Sequence, residues 1–223
     1  MPHDIAFLHT SPVHVPTFDQ LMRELAPDLR VAHVVREDLL ADAQTEGADS
    51  PPLVARIRQA MGDAGASGAS VVVCTCSTIG GAAEDAGVPG GAHAARIDRA
   101  MADQAVRHGG KVLLVAALQS TLAPTAALLQ SSADRLGVRI EIEPLVVLGA
   151  WPHFQAGRHG DYIAAITDAV VQAGVEAGVV VLAQASMAPA AERLAERGIT
   201  ALASPRLGVA HAVALHRQRV ARL

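Results

Sequence analysis

The sequence is poor in aromatic residues and in lysine. Aromatic residues make up 2% of the 223 residues, so Ala, Val, Leu and Ile must fill the core, and 51% hydrophobic with 18% charged residues excludes a disordered chain. One lysine occurs among the 18 basic residues and the formal net charge is -4, so no long basic tract is present to attract nucleic acid or an anionic membrane. A small molecule is therefore the expected partner.

Long hydrophobic runs are also missing. No apolar run reaches the roughly 18 residues that a bilayer span needs, and the start of the sequence, Met1-Pro2-His3-Asp4, lacks the basic region of a signal peptide. We expect a cytoplasmic protein that does not bind membranes. The length fits either one large α/β domain or two small ones.

Short valine-rich runs alternate with longer amphipathic stretches. This alternation of strands and helices predicts parallel sheets covered by helices. The predicted strands cover residues 5–9, 30–35, 70–73, 112–115, 139–145 and 179–182, and the main predicted helices cover 51–65, 93–108, 122–136, 161–173 and 189–197.

The two halves repeat one plan. A constant offset of 108 positions places residues 71–73 over 179–181, Ala6 over Leu114 and His33 over Glu141. Repetition at a fixed offset predicts a tandem duplication of one βα unit. The same offset places Cys76 over Gln184.

Polar residues follow four of the predicted strands. Open parallel sheets bind ligands beyond the carboxyl ends of their strands, and hydroxyls with free backbone N–H groups at helix starts suit a carboxylate. The four clusters are His9-Thr10-Ser11, Cys76-Ser77-Thr78, Gln119-Ser120-Thr121 and Gln184-Ala185-Ser186.

The two cysteines, Cys74 and Cys76, are separated by one residue. This spacing is too tight for a relaxed disulfide and wrong for a zinc knuckle, so both are expected as free thiols. Cys74 lies inside the valine-rich strand and is interpreted as a small apolar filler. Cys76 is predicted at a helix start with Ser77 and Thr78 as caps, a location that favours the thiolate of a base or nucleophile, although an apolar filler is the alternative.

Histidine spacing offers little support for a metal. No H-x-x-x-H or H-E-x-x-H pattern occurs on a predicted helix, and the glycine pairs match no nucleotide-binding motif, so we expect no metal ligands and no cofactor. His9 lies at a predicted strand end. It is either a proton carrier or a histidine bonded to nearby backbone.

Several short motifs occur together in a fixed order. V-V-C-T-C-S-T spans 72–78, I-D-R-A-M spans 97–101, S-T spans 120–121, V-V-L-A-Q-A-S-M-A spans 180–188, and S-P-R-L-G-V spans 204–209 with A-V at 212–213. Together they resemble the aspartate/glutamate/hydantoin racemase superfamily, and the resemblance runs over nearly the whole chain.

The resemblance implies two pseudo-symmetric Rossmann-like α/β domains, each with a four-stranded parallel sheet flanked by helices, and an active site between them. It assigns residues 1–96 to the first domain, with a C-terminal helix from 205–223 packing back on it, and 97–204 to the second. Racemases of the family use two cysteines, one after the third strand of each half, as cofactor-independent acid and base. Cys76 occupies the first position and Gln184 the second. An amide transfers no proton near neutral pH.

Relatives with one cysteine decarboxylate malonates or isomerise maleate, and the single-cysteine decarboxylases keep the second-half thiol, whereas this chain keeps the first. The sequence also resembles a racemase-like subgroup with T-C-S in the first half and L-A-Q-x-S-M-A in the second, in which Gln184 is a shared trait.

We therefore expect a cofactor-independent racemase- or isomerase-like enzyme that acts on a small carboxylate-bearing carbon acid through Cys76, with His9 as the candidate second proton carrier. A malonate decarboxylase, a non-catalytic binding protein and, last, a hydrolase acting covalently through Cys76 are the alternatives, and a homodimer or higher homo-oligomer stays open. The expected substrate-binding residues are Thr10, Ser11, Ser77, Thr78, Ser120, Thr121, Gln184, Ser186 and Met187.

Overall fold

The computed structural model describes residues 3–174 and 178–222, so Met1, Pro2 and Leu223 of the expected first domain lie outside the described residues. The chain divides into two compact units. Unit 1 comprises Met1–Asp98 with Pro205–Leu223, and unit 2 comprises Arg99–Ser204.

Unit 1 is built on a four-stranded parallel sheet. Its strands are β1 (Ile5–His9), β2 (Val31–Val35), β3 (Val71–Cys74) and β4 (His93–Arg96), in the order β2-β1-β3-β4. Both central strands are buried along their whole length, as expected for a parallel sheet covered on two faces. In the register, Leu8 pairs with Cys74, so β1 and β3 end side by side.

Helices cover both faces of this sheet. The helices α1 (Val15–Leu25) and α10 (Ser204–Val220) contribute Phe18, Met22, Val209 and Ala212 to the core on one face. The opposite face is covered by α2 (Glu37–Glu46), α3 (Pro51–Gly65) and α4 (Gly80–Glu84). In α3 the buried residues recur at helical spacing, and Pro51 and Pro52 occupy the first turn, where no backbone donor is lost.

The glycine of the S-P-R-L-G-V motif has a packing role. A Cβ built on Gly208 would overlap the carbonyl oxygen and side chain of Ile97. Helix α10 thus approaches the chain that follows β4 more closely than a side chain permits. Only glycine fits at this position of the helix.

Unit 2 repeats this strand order. Its strands are β5 (Gly110–Ala116), β6 (Ile140–Val146), β7 (Val179–Leu182) and β8 (Ala201–Ala203), in the order β6-β5-β7-β8, all parallel. The prediction of an α/β fold with two four-stranded parallel sheets is confirmed. The helices of unit 2 are α5 (Arg99–His108), α6 (Gln119–Leu136), α7 (Trp151–Gln155), α8 (His159–Gln172) and α9 (Ala188–Ala195).

One face of the unit 2 sheet packs against α8 and α9. Tyr162 and Ile166 of α8 and Leu194 of α9 are buried against strand residues such as Val180. The strand β6 forms an edge of this sheet, where it exposes Glu141, Glu143 and Pro144.

The prediction of one helix over 93–108 was wrong. Residues His93–Arg96 form β4, which pairs with β3 through Val72 and Ala94, and the helix α5 begins at Arg99. The alanine-rich composition favours a helix locally, but pairing with a buried strand overrides that weak preference.

The single offset of 108 also fails in detail. Ala6 pairs with Val72 and Leu113 pairs with Val180, so Leu113, not Leu114, is the counterpart of Ala6. The larger discrepancy concerns His33. In unit 1, His33 pairs with Phe7. Phe7 corresponds to Leu114 of unit 2, and Leu114 pairs with Pro144, so the counterpart of His33 is Pro144 and not Glu141. The connection after β5 carries an 18-residue helix, whereas α1 has 11 residues, and this extra length shifts the second strand.

Over residues 3–174 and 178–222, no helix has the length and the apolar character that a bilayer span requires.

Candidate active site

Cys76 follows the end of β3 at the carboxyl edge of the unit 1 sheet. The backbone N–H of Thr75 donates to the carbonyl oxygen of Leu8 at 2.9 Å, which extends the sheet one residue beyond the strand. Both thiols are free; Cys74 is buried and Cys76 is partly exposed. Burial raises the pKa of the Cys74 thiol, and a charge on Cys76 raises it further. Cys76 is therefore the thiol that a solute can reach.

The expectation that Cys76 begins a helix was wrong. Residues 77–79 form a turn, α4 starts only at Gly80, and it has 5 residues. Ile79 occupies the N-cap position and no side chain caps the helix, so Ser77 and Thr78 are not caps. Both side chains are buried in the turn instead.

A buried ion pair between Arg96 and Asp98 fixes the position of this turn. In Arg96, the last residue of β4, Nε donates to Asp98 Oδ1 at 2.6 Å and Nη2 donates to Oδ2 at 3.0 Å. The same Nη2 donates to the carbonyl oxygen of Ser77 at 3.2 Å. The guanidinium lies against Gly80, where a Cβ would come within 2.9 Å of Arg96 Cζ. Arg96 thereby contacts Ser77 and Gly80, at the two ends of the turn that follows Cys76.

The charges of this pair compensate each other. Burial alone raises the pKa of the Asp98 carboxyl, but the charge and hydrogen bonds of Arg96, with the Ser77 hydroxyl beside it, outweigh burial and lower it. Removing either partner would leave the other charged and buried. The sequence signal for this pair is an arginine and an aspartate two residues apart, which places both on one face of an extended chain.

His9 ends β1, next to the Cys76 segment. Its ring is fully buried; Nδ1 lies 2.9 Å from Thr75 Oγ1, and Nε2 lies 2.8 Å from His33 Nδ1. Burial, together with the charges of His33 and His14, lowers the pKa of His9 to about 3, so its imidazole is neutral at physiological pH. Its partners are side chains rather than backbone.

Thr10 and Ser11 continue the chain beyond β1. Thr10 is buried, whereas Ser11 is partly exposed and precedes a short 3-10 helix, Pro12–His14. The pairing of β1 with β3 thus brings His9 and Thr10 to the same sheet edge as Cys76 and Ser77.

In unit 2, Gln184 follows β7 in the way that Cys76 follows β3. Ala183 donates its N–H to the Val115 carbonyl, as Thr75 does to Leu8. The side-chain Oε1 of Gln184 accepts a hydrogen bond from the backbone N–H of Ala117 at 2.6 Å. The carboxamide oxygen therefore links the ends of β5 and β7.

The other predicted residues of unit 2 have varied surroundings. Ser120 and Thr121 lie in the first turn of α6, which begins three residues before the predicted start, and Ser120 Oγ is buried without a hydrogen-bond partner among the described residues. Ser186 Oγ is 2.8 Å from the Tyr162 hydroxyl. Met187 is fully buried in the hydrophobic core with Leu182 and Leu194, so packing accounts for its side chain.

No group of three or more His, Cys, Asp or Glu residues suited to a metal ion occurs within the described ranges.

Comparisons with known proteins identify the fold. No protein-family model and no curated protein sequence matches the chain. Among solved structures, Picrophilus torridus aspartate racemase is similar with a TM-score of 0.69 and 13% identity over 96% of this chain and 94% of that one. Allantoin racemase from Klebsiella pneumoniae has a TM-score of 0.60 and 18% identity over 99% and 88% of the two chains. A mutant arylmalonate decarboxylase has a TM-score of 0.60 and 17% identity over 96% and 93%.

The chain thus has the fold that these two racemases and the decarboxylase share, and the fold implied by the sequence motifs is confirmed. The glutamine-containing subgroup stays a prediction.

Proposed function

We propose that this chain is a racemase- or isomerase-like enzyme of the aspartate/glutamate racemase superfamily that acts on a small carboxylate-bearing carbon acid through Cys76. One observation carries the proposal: the partly exposed thiol lies at the carboxyl edge of the unit 1 sheet, where open parallel sheets bind ligands, while the other thiol is buried. The racemase fold supports the same class of reaction.

In the proposed reaction the Cys76 thiolate removes the proton on the carbon next to the substrate carboxylate. An S–H bond forms, the C–H bond breaks, and the electron pair moves into the carboxylate as an enolate. Gln184 transfers no proton and the His9 ring is fully buried, so inversion takes its proton from a solvent water on the opposite face. The hydroxide that this leaves accepts the proton from the Cys76 thiol, which restores the thiolate. Hydroxyls and backbone N–H groups at the strand ends stabilise the developing negative charge, which supplies most of the rate acceleration in such sites.

Because Gln184 occupies the unit 2 position equivalent to Cys76, only unit 1 supplies a group that transfers a proton. Its carboxamide transfers no proton, and its oxygen already accepts from Ala117. We propose that its N–H groups donate to the substrate. Thr10, Ser11, Ser77, Thr78, Ser120, Thr121 and Ser186 remain the proposed substrate-binding residues, and neither a metal nor an organic cofactor takes part.

A malonate decarboxylase is the second candidate. A decarboxylase needs a single acid to protonate the carbanion left by carbon dioxide, and a single accessible thiol fits that requirement. The similarity to arylmalonate decarboxylase favours it further. A binding protein without turnover is the third candidate, because Gln184 replaces the second acid or base.

Solvent exchange tests the three candidates together. The protein is incubated in heavy water with aspartate, glutamate, hydantoins, maleate and arylmalonates, and NMR follows deuterium at the α-carbon and new products. We expect exchange or turnover with at least one of them, lost in Cys76→Ala and kept in Cys74→Ala, which changes a buried core residue. Turnover that persists in Cys76→Ala would remove the catalytic assignment, and binding without exchange or product would support the non-catalytic candidate.

A further inference from the structure

Four side chains of unit 1 form a continuous hydrogen-bonded chain. Asp19 Oδ1 is 3.1 Å from His33 Nε2, and His33 Nδ1 is 2.8 Å from His9 Nε2. His9 Nδ1 is 2.9 Å from Thr75 Oγ1, whose hydroxyl reaches the Leu8 carbonyl oxygen at 3.2 Å. The chain runs from a carboxylate that is 40% exposed to the residue directly before Cys76.

The fold itself does not need this chain. The counterparts in unit 2, identified by strand pairing, are Ala116 for His9, Ala183 for Thr75 and Pro144 for His33. The same sheet topology therefore forms with small apolar residues at these positions. Burying polar groups costs free energy unless every one of them is hydrogen-bonded, so their presence in unit 1 points to a role beyond folding.

Counting donors and acceptors locates the protons. A carbonyl oxygen only accepts, so the Thr75 hydroxyl donates to Leu8, and His9 Nδ1 must then carry the proton that it shares with Thr75. A neutral His9 has a bare Nε2, which accepts from Nδ1–H of His33. His33 Nε2 faces a carboxylate and must also be protonated. With His9 neutral, all four bonds form together only when His33 is an imidazolium.

The surroundings support this distribution. His9 is enclosed by Phe7, Phe18 and His33, and the charges that act on it come from His33 on β2 and His14 on the short 3-10 helix. Both disfavour a second proton on His9, whereas His33 Nε2 lies 3.1 Å from the Asp19 carboxylate on α1. The positive charge therefore belongs on His33.

We propose that Asp19, His33 and His9 are positioning residues for Cys76: the charge on His33 fixes the tautomer of His9, which directs the Thr75 hydroxyl to the Leu8 carbonyl and holds the end of β3. The importance of this device for catalysis rests on the proposed function. The proton arrangement itself does not.

This hydrogen-bonded chain has a second possible arrangement of its protons. When His33 gives up one proton to water, it keeps the Nε2 proton that faces Asp19 and its Nδ1 becomes an acceptor. His9 then loses its Nδ1 proton and gains one on Nε2, and the Thr75 hydroxyl turns from Leu8 to His9 Nδ1. One proton leaves in total. Thr75 then exchanges its side-chain bond to Leu8 for one to His9, while its backbone N–H keeps its bond to the Leu8 carbonyl oxygen, so the side chain directly before Cys76 reorients.

NMR of 15N-labelled histidine on the full chain tests the proton arrangement directly, because the two tautomers have different nitrogen shifts. We expect His9 as the Nδ1–H tautomer at low pH and as Nε2–H once His33 is neutral. Asp19→Asn should increase the Nε2–H population of His9 at a fixed pH, because it removes the carboxylate that faces Nε2–H of His33. Glu24→Gln is the matched control on the same helix, since Glu24 bonds Gln20 and Arg206 instead.

The rate of alkylation of Cys76 by iodoacetamide, located by peptide mass spectrometry, tests the positioning. We expect Thr75→Val to change this rate by at least about threefold, because a displaced reactive group loses its geometry, and Thr75→Ser to restore it. If Thr75→Val does not fold, Asp19→Asn at a partly exposed site gives the same test, because it acts on Thr75 through the tautomer of His9.

An Nε2–H tautomer of His9 at every pH, a tautomer change insensitive to Asp19→Asn, or a Cys76 rate insensitive to both substitutions would each overturn the proposal. Neither measurement uses a substrate. A failure of catalysis with every carbon acid therefore counts against the proposed function alone.

Discussion

Units 1 and 2 share one strand order but differ in what lies at the ends of the strands. At equivalent positions, unit 1 has His9, Thr75 and Cys76, and unit 2 has Ala116, Ala183 and Gln184. The edge strands differ in the same way: the partner of Cys74 is Arg96, whereas the partner of Leu182 is Ala203.

This difference separates what the fold requires from what has been added to it. Valine-rich strands and amphipathic helices suffice to build the four-stranded sheet twice. At these equivalent positions, a buried histidine and a buried ion pair occur in unit 1 and not in unit 2. Unit 2 thus serves as an internal reference for the polar residues of unit 1.

The largest expected effect concerns the equivalent residues Cys76 and Gln184. If Cys76 transfers the proton, Cys76→Ala should lower kcat by about 10²- to 10⁴-fold. Gln184→Ala removes only hydrogen bonds and should lower kcat by about tenfold. The measurement is kcat on any substrate found by deuterium exchange. Equal losses in the two variants would mean that both units supply proton-transfer chemistry, contrary to the asymmetry.

The next effect concerns Arg96. Arg96→Met leaves Asp98 buried and unpaired, so we expect a loss of about 3–5 kcal/mol in the free energy of unfolding. The double change Arg96→Met with Asp98→Leu should recover most of it, since Ala203 shows that an apolar residue suits this strand position. Arg217→Met, which breaks an exposed ion pair with Asp28, is the control and should cost at most about 1 kcal/mol. Urea denaturation measures the free energy of unfolding of all three variants. Equal losses in Arg96→Met and Arg217→Met would contradict the role of the buried pair.

The pH dependence of stability should show the buried histidines. The pKa of His9 is lowered to about 3 and that of His14 is also lowered, both through burial, so the unfolded chain binds more protons than the native one below about pH 6.5. Stability should therefore fall as the pH decreases, by up to about 1.4 kcal/mol per pH unit for each histidine.

The window from pH 6.5 to 4.5 isolates this effect, because unfolded carboxylates take up protons mainly below it. Urea midpoints of the native chain and of His9→Gln across that window are the measurement. An identical slope in both proteins would show that His9 is not held neutral by the fold.

The last comparison concerns two neighbouring glycines. A Cβ on Gly80 would lie 2.9 Å from Arg96 Cζ, so Gly80→Ala should destabilise by about 1–3 kcal/mol. A Cβ on Gly81 would lie 3.8 Å from Arg96 Nη1, an ordinary contact, so Gly81→Ala should be neutral or slightly stabilising. A matching loss at both positions would indicate that helix α4 itself, rather than the packing of Arg96, limits stability.

The sequence predicted the features that depend on local pattern. The buried strand 71–74 and the alternation of strands with helices follow from hydrophobic spacing, and Cys76 was placed beyond a strand end for the same reason. The helices α1 and α2 and the strand β4 were missed or misassigned. Strand β4 is alanine-rich and its structure is decided by pairing with a distant strand, whereas α1 carries Phe18, Met22 and Leu25 at helical spacing, so its sequence does contain the signal.

The parts of the candidate site that could not be predicted depend on long-range pairing. His33 meets His9 only because β2 lies beside β1, and Arg96 reaches Ser77 only because β4 lies beside β3. A constant offset between the halves even assigned Glu141 as the counterpart of His33, because it could not allow for the longer connection after β5.

The edge strand β6 has a consequence for how the protein behaves at high concentration. With 7 residues, β6 is longer than the edge strands β2, β4 and β8. It exposes Glu141 and Glu143, the latter paired with Lys111, and Pro144 offers no N–H to a further strand. Charges and proline on an exposed edge discourage the addition of strands from another molecule. The proline that stands where unit 1 has His33 thus protects the sheet of unit 2 against edge-to-edge aggregation.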